Sequence, residues 1–442
     1  MAFEPRYYRH RGITVLQKRD PALGKTRMRP GRTALVLAGG AVSGGAYKAG
    51  GLTALDEILD QRHTPGRGSA PFKLTDFDVF VGLSAGSIVA SVLAAGVPPQ
   101  EILRAVLGVS ELLLPFERRD FMWPNYADAG RRLGPFLRRE QEHFTNWLSG
   151  ATDARSADAI TLGATLARMR HALPLALPTG AFTTEPLGRY ARAQMARIGA
   201  PDDFRAAHAA TGRSLYLTAV DVNRGHLHVF GHDEPYRAVP ISEALRASCS
   251  LPGWYAPTRI PNPRAGHKGE PQFFDLVDGG LMRTANVRVA VEKGADLVVC
   301  YNPFTPVRYD REGRSLVDHG PVAYASQVFR ILLGARLDLA KELLFRDETI
   351  DADIIFVEPS EDDYTFFRMN PLGHSQQARA ANHGYRTIRA ALQSSHERLA
   401  EICATHGIAI HAPWPDRKNL PGAEAEVGLG QLTESRGRMR TR

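Results

Sequence analysis

A serine lies at the centre of the most informative segment of this 442-residue chain. Ser84 is the third residue of a Gly-Leu-Ser-Ala-Gly sequence between Gly82 and Gly86, and it follows the apolar run at residues 77–81. A strand that runs into Gly-x-Ser-x-Gly and then into a helix is typical of a nucleophile elbow. In such a turn, side chains at the two glycine positions would collide with backbone, and the following helix presents free N–H groups near the serine. The segment therefore predicts a nucleophilic serine and an acyl hydrolase.

A carboxylate that could accept the serine proton follows a second apolar run. Asp278 comes after residues 274–277 and is followed by Gly279 and Gly280. A carboxylate at a strand end can accept the proton directly if the serine lies within hydrogen-bond reach. The two glycines would let backbone pass close to the site. Asp275 is a nearby alternative without such glycines, and an isolated Asp-Gly pair is more often a simple turn.

A glycine-rich turn follows the apolar run at residues 33–37. Unpaired N–H groups converge in such a turn, where they could cradle a phosphate or stabilise an oxyanion. The turn is not a P-loop, because Gly45 stands where a lysine is required, and it is not a dinucleotide fingerprint, because Ala41 replaces the second glycine. By itself the turn is equally well explained as purely structural.

Apolar runs of strand length alternate with helical patterns along the chain. We predict strands at residues 33–37, 77–81, 215–220, 226–230, 273–278, 297–301 and 354–357, and helices at 46–61, 85–95, 242–248 and 376–399. This alternation predicts an α/β fold with a mostly parallel central sheet flanked by helices.

We expect four segments along the chain. Residues 1–32 form a basic N-terminal segment that we expect to be flexible, and residues 33–305 would form the domain that contains the candidate site. Within that domain, residues 99–200 are mostly helical in pattern. They form either a helical insertion that caps the site or ordinary core. A C-terminal strand and helices at 306–420 complete or flank the domain, and a basic tail at 421–442 is expected to be disordered.

The formal net charge of +8 is concentrated at the two ends of the chain. Residues 1–32 carry +7, residues 434–442 carry +3, and the remainder carries −2. The basic ends are either solubilising tails or a means of peripheral contact with anionic lipid headgroups. No nucleic-acid partner is expected, because no recognised motif accompanies the charge.

The order of the glycine turn, Gly-x-Ser-x-Gly and Asp-Gly-Gly resembles the patatin-like phospholipases. Residues 218–225 and 244–253 are similar to further segments of that family, and the resemblance covers about residues 33–304. It implies a patatin-like three-layer fold and a Ser–Asp dyad that hydrolyses acyl esters of lipids without a histidine. It also implies an activity of the phospholipase A or esterase type, a phospholipid or other acyl-lipid substrate, and no metal or other cofactor.

The same resemblance implies roles for individual residues. Ser84 would be the nucleophile and Asp278 the proton acceptor, with Gly82, Gly86, Gly279 and Gly280 as motif residues. Backbone N–H groups of the glycine turn and the elbow would form the oxyanion hole, namely those of Gly39, Gly40, Ala41, Gly44 and Ala85. The chain departs from the family pattern Gly-Gly-Gly-x-Arg/Lys-Gly, because Ser43 replaces the basic residue and the nearest positive charge is Lys48.

Two alternatives stay open from the sequence. The first is an esterase of the α/β-hydrolase type with a Ser-Asp-His triad, in which His374 or His383 would serve. The second is a non-catalytic lipid-binding or membrane-associated protein, which the atypical glycine turn suggests. The sequence gives no indication of the oligomeric state.

Three widely spaced cysteines and the N-terminal residues bear on the cellular compartment. The cysteines show no metal or disulfide pattern, which fits a reducing environment. The first residues lack the apolar core of a signal peptide, so we expect a cytoplasmic, membrane-associated protein. The apolar stretch at residues 77–97 has the length of a membrane span, but the elbow explains it better.

Overall fold

The computed structural model describes residues 4–20, 31–64, 68–150, 177–309, 315–371 and 373–410. The strands in these residues are β1 (Arg6–His10), β2 (Ile13–Gln17), β3 (Thr33–Leu37), β4 (Leu59–Thr64), β5 (Gly68–Pro71), β6 (Val79–Gly82), β7 (Trp123–Pro124), β8 (Gly180–Thr183), β9 (Ser214–Asp221), β10 (His226–Phe230), β11 (Gly253–Tyr255), β12 (Thr258–Pro261), β13 (Phe273–Asp278), β14 (Leu297–Tyr301), β15 (Asp353–Val357) and β16 (Ile408–Ile410). The α-helices are α1 (Ala41–Ile58), α2 (Ala85–Ala94), α3 (Pro99–Val106), α4 (Arg118–Phe121), α5 (Tyr126–Gly150), α6 (Glu185–Arg197), α7 (Phe204–Thr211), α8 (Ile241–Ser248), α9 (Val287–Glu292), α10 (Pro321–Arg346), α11 (Tyr364–Phe367), α12 (Gln377–Ser394) and α13 (His396–Thr405).

A ten-stranded sheet forms the centre of the molecule. Its order is β1-β2-β15-β14-β3-β6-β9-β13-β12, and β10 pairs with β9. The five strands from β15 to β9 are parallel, whereas both edges are antiparallel. Because parallel strands are covered on both faces, their sequences read as continuous apolar runs. The predicted α/β class with a parallel central sheet is therefore confirmed, and the antiparallel edges are an addition that the sequence did not reveal.

Helices cover both faces of this sheet, so the molecule has three layers. Leu35 and Leu37 of β3 belong to a core shared with α1, α2 and α12. Ala34 and Val36 of the same strand belong to a second core, shared with α9 and α10. The alternation of side chains along β3 produces the two cores, because successive residues of a strand point to opposite faces.

The N-terminal residues are part of the sheet. Strands β1 and β2 form an antiparallel hairpin, and β2 pairs with β15, with Ile13 opposite Val357. The expectation of a flexible segment is therefore wrong for residues 6–17. The prediction from net charge missed β2, a five-residue strand that is buried at every position and lies between arginine-containing segments. The rest of the basic N-terminal segment at 21–30 and the basic tail at 421–442 lie outside the described residues.

The segment at residues 99–200 contains the predicted helices and also a small sheet. Strands β7 and β8 join β11 in a three-stranded sheet. Strands of two and four residues are too short to show a periodic sequence pattern, so the helical prediction missed them. Residues 151–176 of this segment are outside the described part of the chain.

The C-terminal part contributes directly to the central sheet. Strand β15 lies between β14 and β2, and α12 packs along α1 on one face. The segment at residues 33–305 thus shares its sheet and its core with residues from beyond position 306. Among the helices of the described residues, none combines the length and apolar content that crossing a membrane requires.

Candidate active site

Ser84 occupies a strained turn between strand β6 and helix α2. Its backbone angles are φ 52° and ψ −134°, a combination that non-glycine residues rarely adopt. A Cβ atom at Gly86 would lie 2.1 Å from the carbonyl oxygen of Leu37, and one at Gly82 would lie 2.6 Å from the Cα atom of Ser87. Both glycines are therefore required for the close approach that places Ser84 at the end of the strand.

Two serines hold the backbone of the turn. The Ser84 N–H donates to Ser248 Oγ at 2.9 Å, and Ser87 Oγ donates to the Ser84 carbonyl oxygen at 2.6 Å. Ser248 is the last residue of α8 and is buried. The resemblance pointed to the segment around Ser248, and the structure shows its contact: the segment braces the elbow from an adjacent helix.

Asp278 lies beside Ser84. Their strands, β13 and β6, pair with the two sides of β9 and end at nearly the same level along it. Gly82 of β6 pairs with Leu217 of β9, and Asp278 of β13 pairs with Ala219, only two residues farther along the same strand. The structure thus brings the predicted pair together. Asp278 is the last residue of β13, so its side chain is presented where the strand ends.

The carboxyl group of Asp278 is buried and hydrogen-bonded. Its Oδ1 atom accepts a hydrogen bond from the Gly280 N–H at 2.8 Å. Burial raises the pKa of Asp278 to about 6, and the interactions with the Ser84 side chain and the Gly280 N–H oppose that shift. A carboxylate with such a pKa is ionised at neutral pH and still basic enough to accept a proton.

The glycine turn connects β3 to α1 beside the elbow. Gly40 has φ 145° and Ala41 has φ 54°, so two consecutive residues lie in the left-handed region. The N–H groups of Val42 and Ser43 both donate to the carbonyl oxygen of Pro371 at 3.0 Å. This contact fixes the start of α1 against a segment more than 300 residues later in the chain.

Four of the five predicted oxyanion residues face the site. Gly39, Gly40, Ala41 and Ala85 line the cavity that contains Ser84. The expectation for Gly44 is wrong, because its N–H donates to the Gly40 carbonyl oxygen inside α1. The first N–H groups of a helix have no partner within it. In the described residues, no backbone acceptor takes the N–H of Ala41 or that of Ala85.

Lys48 contacts the glycine turn and does not line the cavity. Its side chain extends from α1, is completely buried, and donates to the carbonyl oxygens of Ala38 and Gly39, the latter at 3.4 Å. Burial lowers the pKa of Lys48 to about 7. The sequence identified Lys48 only as the nearest positive charge, and no sequence signal revealed that it contacts the turn.

A cavity of about 490 Å³ contains the candidate site. Apart from the residues already described, its walls are mostly apolar or aromatic and include Phe116, Phe121, Leu187, Trp254, Phe329 and Leu333. A cavity of this size and character suits an apolar ligand with one polar group at the end. The aromatic rings at positions 116 and 121 stack at 5.2 Å, so part of the 99–200 segment does face the site.

The alternative partners of Ser84 lie elsewhere. His374 Nε2 contacts the carbonyl oxygen of Phe116 at 2.8 Å, and His383 pairs with Asp363 at 2.7 Å. Asp275 pairs with Arg259 at 2.8 Å. None of these three residues lines the cavity. Among the described side chains, the geometry favours Asp278 as the partner of the serine.

The sequence model of the family described as "Patatin-like phospholipase" matches residues 35–291. No curated protein sequence matches the chain.

Several solved structures are similar to the chain at low identity. VipD from Legionella pneumophila is 15% identical, with a TM-score of 0.35, 88% of this chain covered and 70% of that chain. ExoU from Pseudomonas aeruginosa, solved in complex with SpcU, is 17% identical, with a TM-score of 0.26 and coverage of 91% and 66%. Human GIVD cytosolic phospholipase A2 is 11% identical, with a TM-score of 0.37 and coverage of 86% and 63%.

Proposed function

Because this chain belongs to the patatin-like phospholipase family, whose members are lipid acyl hydrolases, we propose that it cleaves acyl ester bonds of lipids at Ser84, with Asp278 as the proton acceptor. The observation that carries the proposal is that Ser84 and the buried carboxyl group of Asp278 both line one mostly apolar cavity. The cavity accommodates an acyl chain, and the buried dyad supplies the nucleophile and its base.

The first half of the reaction forms an acyl-enzyme. Ser84 Oγ attacks the ester carbonyl carbon while its proton moves to the Asp278 carboxylate. The tetrahedral intermediate then collapses, the bond between the carbonyl carbon and the alcohol oxygen breaks, and the departing alcohol takes the proton from Asp278. A lyso-lipid or another alcohol leaves, and the acyl group stays on Ser84.

The negative charge that develops on the carbonyl oxygen would lie close to the N-termini of two helices. Helices α1 and α2 both begin at the cavity, at Ala41 and Ala85, and the N-terminus of a helix carries a partial positive charge. The N–H groups of Gly40, Ala41 and Ala85 are the donors that we assign to the oxyanion hole. Donors of this kind each typically contribute roughly 3–4 kcal/mol.

The second half of the reaction regenerates the enzyme. Asp278 removes a proton from a water molecule, whose oxygen attacks the acyl carbonyl carbon. The bond to Ser84 Oγ then breaks, the proton returns from Asp278 to the serine, and a fatty acid is released. Every proton in this cycle passes through the same carboxyl group, so no histidine is required.

Lys48 acts as a positioning residue for the oxyanion hole. In a trans peptide the C=O and N–H groups point in opposite directions. Because the ammonium group donates to the Gly39 carbonyl oxygen, we expect the N–H of Gly40 in the same peptide to point away from it, toward the cavity that Gly40 lines. Lys48 thus takes the place of the basic residue that is missing at Ser43.

Replacing Lys48 by methionine should lower kcat about tenfold to a hundredfold, since a donor displaced by a fraction of an ångström stabilises the transition state poorly. KM should change less than about twofold, because the cavity walls are untouched. The matched control is Thr53→Val, a buried change on the same helix whose hydroxyl bonds only to the Ala49 carbonyl oxygen. A Lys48→Met variant with wild-type kcat would show that the lysine does not position the oxyanion hole.

The raised pKa of Asp278 predicts a pH dependence. The carboxyl group must be ionised to accept the serine proton, so kcat/KM should rise with pH, reach half its maximum at about pH 6 and level off above it. One pH unit below that pKa, only about a tenth of the molecules are active. The measurement is a pH–rate profile on a soluble ester. If the rate instead changes near pH 7, and this change is absent in Lys48→Met, the titrating group is the lysine.

The proposed function is tested by following the products. Purified protein is incubated with vesicles of defined phospholipids, and released fatty acids and lyso-lipids are measured by mass spectrometry. A serine-reactive fluorophosphonate is used in parallel and should label the wild-type chain at Ser84. Folded protein that binds vesicles but is neither labelled nor active would establish the non-catalytic lipid-binding alternative.

A further inference from the structure

One face of α10 is apolar and exposed. Of the side chains described between residues 321 and 335, every exposed one is apolar: Pro321, Tyr324, Ala325, Val328, Ile331, Leu332 and Ala335. We call this set the α10 apolar face. Tyr324 is 52% exposed, Ile331 49% and Leu332 58%. Scattered exposed apolar residues are normal, but a continuous patch of them marks an interaction surface.

Two polar residues of the same stretch are engaged elsewhere, and Ser326 lines the cavity. Gln327 bonds to the backbone of Val307, and Arg330 is buried and donates to the carbonyl oxygen of Thr305. The seven members of the α10 apolar face recur at intervals of one, three or four residues, which places them on one side of the helix. Exposed charged residues return at Asp338 and Glu342. The helix therefore presents an uncharged surface about four turns long.

The α10 apolar face adjoins the opening of the catalytic cavity. Pro321 and Ala325 are exposed members of the face and also line the cavity. Trp254, from a distant part of the chain, also lines the cavity and is 41% exposed. Tryptophan is enriched where proteins meet the interfacial region of a bilayer. The mouth of the cavity and the exposed face of the helix thus form one apolar surface.

We propose that the α10 apolar face docks on the surface of a lipid bilayer and holds the mouth of the cavity against it. The choice of a lipid surface over a second protein rests on the proposed function, because a lipid substrate has to enter at this opening. A helix of this kind lies in the plane of the membrane, with its apolar side buried about 5–10 Å into the interface.

This mode of binding differs from attraction through the basic ends. Arg6 and Arg9 of the N-terminal hairpin are paired with Glu401 at 3.2 Å and Glu361 at 2.7 Å. The α10 apolar face has no charge to be screened, so salt should weaken binding little. Binding should also extend to vesicles without net charge.

The test is sedimentation of the full chain with phosphatidylcholine vesicles at low and high salt. Leu332→Glu should weaken binding at least about tenfold, because a charge replaces an inserted apolar side chain. Ile331→Gln, which adds no charge, should weaken it less. The matched control is Val222→Glu, since Val222 is 52% exposed but belongs to the turn after β9. That variant should bind like the wild type.

A soluble short-chain ester separates docking from catalysis. Leu332 does not line the cavity, so Leu332→Glu should hydrolyse this ester at the wild-type rate. Equal vesicle binding by Leu332→Glu and the wild type would overturn the proposal, as would binding that high salt abolishes. If the wild type forms a dimer that does not bind vesicles, and Leu332→Glu dissociates this dimer, the α10 apolar face is a contact with a second copy of the chain and the proposal is overturned. Absence of ester hydrolysis in the wild type would refute the proposed function while leaving the vesicle result interpretable.

Discussion

Replacing Ser84 by alanine should reduce ester turnover at least about a thousandfold, because the acyl-enzyme cannot form without the hydroxyl oxygen. The fold should be unaffected. The Ser84 contact with Ser248 is made by the backbone N–H, which alanine keeps. The strained backbone angles of the turn are as accessible to alanine as to serine. Initial rates on a soluble ester, with circular dichroism as the check on folding, give the answer.

A matched serine on the following helix provides the control. Ser91 lies on α2, is buried, and donates from Oγ to the carbonyl oxygen of Ser87 at 2.8 Å. Ser91→Ala removes one hydrogen bond without touching the cavity, so its turnover should stay within about twofold of the wild type. Normal turnover in purified Ser84→Ala protein would refute the nucleophile and, with it, the proposed mechanism.

Replacing Asp278 by asparagine should be about as damaging as removing the serine. The amide oxygen can still accept the hydrogen bond from the Gly280 N–H, so the shape of the site is kept. An amide cannot accept the proton of Ser84, however, so we expect a loss of at least about a thousandfold in kcat. KM should be nearly unchanged, since the replacement leaves the apolar walls of the cavity as they are.

Two further variants distinguish the dyad from a triad. Asp275→Asn is the matched control, because Asp275 belongs to the same strand but pairs with Arg259 outside the cavity. A double replacement of His374 and His383 should leave most of the activity, since neither ring lies at the site. If the double variant were inactive and Asp278→Asn active, the reaction would proceed through a triad instead.

The sequence could predict the elbow and the position of Asp278 at a strand end because each is encoded locally. The strained turn at Ser84 requires Gly82 and Gly86 within two residues of it, and the collision distances show why. Asp278 is likewise marked by the two glycines that follow it and by the buried strand before it. Such motifs can be recognised in the sequence because the residues that determine the local backbone geometry are close together in the chain.

The rest of the site depends on contacts between distant residues. Pro371 holds the glycine turn through two hydrogen bonds, and Phe329 and Leu333 form a wall of the cavity. No local pattern marks these residues as part of the site, because their role exists only after the chain has folded. Lys48 illustrates the same limit at short range, since its contact with the turn follows from packing and not from a motif.

The position of β15 has a consequence for the order in which the molecule is made. This strand lies between β14 and β2, so Ile13 meets Val357 only after more than 340 residues have been synthesised. Contacts that join such distant residues form late and slowly. Until then, β14 has a free edge, and the hairpin of β1 and β2 has nothing to pair with. The same late segment carries α10 and Pro371, so a nascent chain already contains Ser84 but not yet the part of the cavity wall that α10 forms or the contact that holds the glycine turn.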